Sequence, residues 1–145
     1  MAKQRTFSWE DPSGLWQSVR DLAGIEVLKK VVAGELPPPP MGRLMDIRLV
    51  EVEQSRAVFQ STPSEFHYNP LGTVHGGYAA TLLDSAMGCA VHSTPEAGDT
   101  YTTVEFKINY LRPLSHATGE VSGVGTVINS GRSPALAERR VEGPD

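Results

Sequence analysis

Val74-His-Gly-Gly-Tyr-Ala-Ala-Thr-Leu-Leu-Asp84-Ser-Ala-Met-Gly-Cys-Ala-Val91 is the stretch that decides the fold. Wound as a helix, it places Tyr78, Leu82, Ser85 and Cys89 on one side and Ala79, Leu83, Ala86 and Ala90 on another. A helix that is apolar nearly all round is buried. Asp84 and three glycines make the stretch too short and too polar for a membrane span. Its small residues allow close approach to neighbours.

Strand patterns lie on both sides of it. After it, Thr100 to Leu111 alternates Val104, Phe106, Ile108 and Tyr110 with Thr103, Glu105, Lys107 and Asn109, and ends at Pro113. A second strand is expected over Thr118–Asn129, a turn at Ser130–Ser133, and a third strand over Ala135–Val141. Before the helix, Leu44 to Gln60 reads as a hairpin turning near Gln54-Ser55. Residues 61–74 form a loop marked by Pro63, Asn69-Pro70 and Gly72. Further out, Leu15, Val19 and Leu22, then Ile25, Leu28 and Val32, predict one or two short amphipathic helices. Ser13 is the candidate N-cap and Gly34 the stop. Pro37 to Pro40 form a stiff spacer. Strands joined by short turns imply an antiparallel sheet, and a single buried helix must pack on it, giving an α+β class. We place residues 1–40 as a helical extension with a Pro-rich linker and residues 41–145 as the main domain.

The bulk numbers narrow the function. At 145 residues the chain is one domain of ordinary size, and its net charge of -4 argues against nucleic acid as the main partner. One cysteine, Cys89, rules out an internal disulfide and any zinc site using two thiolates from one chain. The N-terminus leads into no apolar signal region, so the expected location is cytoplasmic, with no membrane partner.

Asp84 is the most informative residue. A carboxylate in the middle of an apolar helix is costly unless it is paired or used. An ion pair to another element and a chemical role stand at roughly even odds on residue type alone. His75-Gly76-Gly77 opens the same helix, where free N–H groups and the helix dipole favour negative charge. That is a plausible oxyanion hole, although tight packing would use the same glycines. Gly76 and Asp84 are eight residues apart, roughly 12 Å along the axis at about 1.5 Å per residue. One thioester carbon cannot sit within about 3 Å of both. If both act on one substrate, a second chain must supply one of them, which implies a two-fold assembly with sites at the interface.

Asn69-Pro-x-Gly-x-x-His75-Gly-Gly-x-x-Ala-x-x-x-Asp84, followed by Thr103-Val-Glu-Phe-Lys-Ile-Asn-Tyr110-Leu-Arg-Pro113, resembles the PaaI-like thioesterases of the hotdog superfamily. The similarity covers about residues 41–141 and is densest over 68–113. It implies a sheet wrapped around one long central helix. It also implies hydrolysis of acyl-CoA to free acid and CoA with no metal or organic cofactor, in a homodimer or dimer of dimers. Carried over by position, Asp84 is the base or nucleophile, and Gly76, with Gly77 behind it, presents an N–H to the thioester oxygen. His75 positions the carbonyl, Asn69 holds the carboxylate or water, and Thr103 stands near the attacking water. Arg112 and Arg132 are candidates for CoA phosphates, with plain solvated charge equally plausible for each. Tyr78, Leu82 and Met87 are expected on pocket walls.

His67, His92 and His116 have no metal-ligand spacing. Cys89 reads as a small core residue, and Trp9 and Trp16 as cover for apolar surface. Family members usually continue past the final turn into one more long strand. This sequence ends on that turn, so the expectation is a sheet lacking its last strand. Two other functions stay open. One is a non-catalytic or degenerate acyl-CoA-binding protein; the other is a hotdog dehydratase or hydratase, whose sites usually pair His with a carboxylate.

Overall fold

The computed structural model describes residues 1–130 and 135–144. Two short helices, α1 (Pro12–Val19) and α2 (Gly24–Val32), open the chain. The cap of α1 is Asp11 rather than Ser13: the Asp11 carboxylate accepts from the Ser13 N–H at 3.0 Å. An aspartate one residue before a proline suits a helix start, because Pro fills the first position without losing a needed donor. The same preference revises the linker. Pro40 starts a short helix α3 (Pro40–Met45), so the expected strand begins later than Leu44.

The sheet is an antiparallel meander of β1 (Arg48–Glu53), β2 (Arg56–Ser61), β3 (Val121–Ser130) and β4 (Ala135–Glu142), in that spatial order. The first hairpin turns at Gln54-Ser55 as expected, with Ser55 at φ 67. The expected turn at Ser130–Ser133 falls almost wholly outside the described residues.

Helix α4 (Gly76–His92) lies across the sheet. Tyr78, Leu82, Ala86 and Ala90, at steps of four residues, form one buried stripe against Ile47, Ala57, Phe59 and Val121. Two strand glycines allow this close approach. A methyl group at Gly123 would lie 2.9 Å from Leu82 Cγ, and one at Gly125 would lie 2.3 Å from the Ala86 carbonyl oxygen. At the far end of α4, the buried Ser93 hydroxyl accepts from the Ser55 N–H at 2.7 Å, tying the helix to the hairpin turn. Val19 and Leu28 are buried, so the N-terminal helices contribute to the packed body.

Thr100 to Leu111, the segment with the clearest alternation, is not a strand of this sheet. It runs along α4, and among the described residues no hydrogen bond between two main-chain groups involves residues 100–113. Alternation encodes a side-chain pattern, whereas a ladder needs a neighbour, and among the described residues no strand pairs with this segment.

Candidate active site

The loop before α4 is built by Asn69. Its side-chain oxygen accepts from Leu71 N at 2.9 Å, its amide donates to Thr73 Oγ1 at 2.9 Å, and its main chain pairs with Thr73. Within the chain, this carboxamide is used to shape the loop and does not reach Asp84. The loop delivers His75 as the N-cap of α4. The His75 Nδ1 accepts from the Gly77 N–H at 2.8 Å, which fixes the tautomer with the proton on Nε2. The Tyr78 N–H bonds back to the His75 carbonyl. Among the described hydrogen bonds, the Gly76 N–H has no acceptor, so it is the free donor at this helix end.

Asp84 lies two turns along the same helix and is half-buried. Its carboxylate accepts from Thr103 Oγ1 at 2.8 Å, and that is its one side-chain partner among the described residues. Among the described residues it has no ion pair, so the ion-pair explanation finds no support there. Gly77, Thr81, Asp84, Ser85 and Gly88 form the stripe of α4 that faces away from the sheet, and all but Gly88 are at least partly accessible.

Tyr78 does not reach a pocket wall. It is 1% exposed, inside the core, with its ring centroid 4.5 Å from that of His67. Leu82 is likewise fully buried under the sheet. Arg112 is exposed beside a cavity of about 1050 Å³ that reaches Gly76. Arg132 lies outside the described residues. Cys89 is half-buried, and its apolar surroundings push the thiol up to about 12, which keeps it protonated and unreactive.

Two tyrosines, Tyr110 and Tyr101, make helix contacts that the sequence reading had not assigned to them. The Tyr110 hydroxyl donates to the Gly76 carbonyl at 3.0 Å, and its ring occupies the space that a side chain at Gly76 would take. Tyr101 covers Gly88 at the other end of the stripe, and burial raises its phenol well above the usual range. Their signal was present: both belong to the segment that carries Thr103 and runs antiparallel to α4. Which side chains turn toward a helix is invisible in a pattern of alternation alone.

Comparison with known proteins fits this geometry. Residues 71–142, covering His75, Gly76, Asp84 and Thr103, match the thioesterase superfamily. Acyl-coenzyme A thioesterase 13 of Mus musculus is 29% identical over 111 residues, 76% of this chain and 78% of that protein. A conserved protein of Pseudomonas aeruginosa is 30% identical in structural alignment, with a TM-score of 0.67, over 72% of this chain and 82% of that one. The PaaI protein of the Escherichia coli phenylacetic acid degradation operon shares the fold at a TM-score of 0.69, over 82% of this chain and 83% of its own; its identity is 16%. No helix of the described residues is long and apolar enough to cross a membrane. With its central helix, its sheet and the matched segment agreeing, the chain belongs to the thioesterase superfamily, hotdog-fold enzymes that hydrolyse thioesters.

Proposed function

We propose that the chain hydrolyses acyl-CoA thioesters to free acid and CoA at two sites shared across a two-fold dimer. The observation that carries this reading is the Asp84 carboxylate. It is held by Thr103 and lies on the accessible stripe of the helix whose first N–H, at Gly76, has no acceptor among the described hydrogen bonds. The two groups are roughly 12 Å apart along one helix. Two α4 helices packed antiparallel on the accessible Gly77–Thr81–Asp84–Ser85 part of the stripe bring one chain's Asp84 to the other chain's Gly76. Small residues on that stripe support so close an approach.

In this site the thioester oxygen accepts from the Gly76 N–H, where the helix dipole stabilises the charge that develops on it. The capping bond of His75 leaves its Nε2–H directed away from the helix to orient the carbonyl. Asp84 either attacks the carbonyl carbon, giving a mixed anhydride that water then hydrolyses to the free acid, or takes a proton from the water that attacks it and passes that proton on to the leaving group once it has departed; in both, CoA leaves as the thiolate. Thr103 is a positioning residue for the carboxylate, and Asn69 positions His75 through the loop. Arg112 and Arg132 are the candidate phosphate contacts.

Thiol release from a panel of acyl-CoAs, with Asp84→Asn as comparison, tests the assignment. A loss of about 10²- to 10⁴-fold with an unchanged melting profile supports it; undiminished release would sink it. A second reading is a non-catalytic acyl-CoA-binding protein. It is favoured by one observation: among the described residues, no hydrogen bond between main-chain groups holds the segment bearing Thr103. Binding of acyl-CoA by the folded chain without any thiol release would select it.

A further inference from the structure

The hydrogen bonds at the opening of α4 run head to tail. The Tyr110 hydroxyl donates to the Gly76 carbonyl at 3.0 Å. That carbonyl and the Gly77 N–H belong to one peptide group, which is planar and conjugated. The Gly77 N–H in turn donates to His75 Nδ1 at 2.8 Å. An imidazole that accepts at Nδ1 carries its proton on Nε2, so His75 ends the chain as a donor. Phenol, peptide and imidazole therefore all donate in one direction, and each bond in such a chain polarises the next.

The site accommodates this chain without breaking the helix. A carbonyl oxygen has two lone pairs, so the Gly76 carbonyl can take the phenol as well as an N–H one turn further on. The ring holds the phenol in place. A methyl group at Gly76 would lie 3.1 Å from both Tyr110 Cζ and its hydroxyl oxygen, so only glycine leaves room for the ring on the helix backbone. At the other end, His75 is exposed, and among the described hydrogen bonds its Nε2 has no acceptor. The chain is thus closed at Tyr110 and open where a ligand would meet it.

We infer that Tyr110 is a positioning residue for the thioester carbonyl, acting through the Gly76–Gly77 peptide and His75. The substrate in this statement rests on the proposed hydrolysis; the chain of donors rests on the geometry alone. By donating to the peptide, the phenol makes the Gly77 N–H the stronger donor. That bond draws electron density from Nδ1, and the Nε2–H then binds the thioester oxygen more tightly. The gain grows as charge develops on that oxygen, so it favours the transition state over bound substrate. Tyr110 is 57% exposed and water competes for its hydroxyl, so the effect is that of one neutral hydrogen bond.

Tyr110→Phe keeps the ring over Gly76 and removes only the hydroxyl. It should lower kcat for acyl-CoA hydrolysis about 3- to 10-fold, with KM and the melting profile unchanged. In a His75→Ala background, where the chain is cut, the same substitution should lower kcat no further. A second measurement needs no turnover. In protein labelled with nitrogen-15 histidine, the His75 Nδ1 resonance, assigned by its loss in His75→Asn, should shift in Tyr110→Phe and stay in place in Leu111→Ser. Equal losses of kcat in the two backgrounds would overturn the inference, because the hydroxyl would then act on Gly76 or on the fold directly. A raised KM at unchanged kcat would overturn it too, and would make Tyr110 a wall of the acyl pocket. So would an unmoved His75 resonance. Wild-type protein that releases no thiol, or releases it undiminished in Asp84→Asn, is instead a failure of the proposed activity, and the resonance then decides the chain of donors by itself.

Discussion

The two faces of α4 are partnered in different ways. Toward the sheet, Leu82 and Ala86 are fully buried and glycines on β3 let the helix settle against the strand backbone. Along the other side, Tyr101, Thr103 and Tyr110 touch the helix at Gly88, Asp84 and Gly76, yet Val104 and Leu111 of the same segment are 93% and 90% exposed. The first face is fixed by packing of a continuous core. The second is fixed by a few side-chain contacts, and it is the one that carries the candidate chemistry. Stability and function are therefore expected to separate by face, because stability tracks buried apolar area whereas the site needs accessibility.

The largest effect expected from breaking this comparison is on activity. Asp84→Asn should lower thiol release by about 10²- to 10⁴-fold while the urea midpoint stays nearly unchanged. A midpoint that moved with the activity would make Asp84 a structural residue. On the sheet side the expectation inverts: Leu82→Ala should cost about 2–5 kcal/mol in urea unfolding, through lost burial and the cavity left behind. A smaller, pH-dependent term comes from His67 and His92. Burial lowers both below the ordinary value of 6.5. The unfolded chain then binds more protons than the folded one between the lowered values and 6.5, so this stability is fully present above about pH 6.5 and falls as pH drops through that window. Urea midpoints measured from about pH 8 to about pH 5 should show the fall, and His67→Gln should flatten it. The smallest effect is expected at Leu111→Ser, within about 0.5 kcal/mol, because so exposed a side chain loses little. A drop as large as that of Leu82→Ala would mean that the outer face is packed in solution.

Much of this was legible in the chain itself. The apolar period of Val74 to Val91 required a buried helix, and the Gln54-Ser55 break required a hairpin. Helical spacing also separated Gly76 from Asp84 far enough that one chain could not complete the proposed site. Local rules sufficed for these features because each depends on neighbours in sequence. The cap at Asp11 and the short helix at Pro40 were missed where proline chemistry competed with a looser pattern.

Tertiary structure alone decided the rest. Tyr78 looked like a pocket wall but is core, because the orientation of α4 on the sheet, not its composition, chooses the buried stripe. Asn69 is used within its own loop, and Tyr110 covers Gly76; both are facts of three-dimensional neighbourhood. Thr100 to Leu111 shows the division most clearly. The sequence determined its alternation, which is a property of side chains along one segment. Whether that segment joins the sheet depends on a hydrogen-bonding neighbour from elsewhere in the fold, which no pattern within the segment can supply.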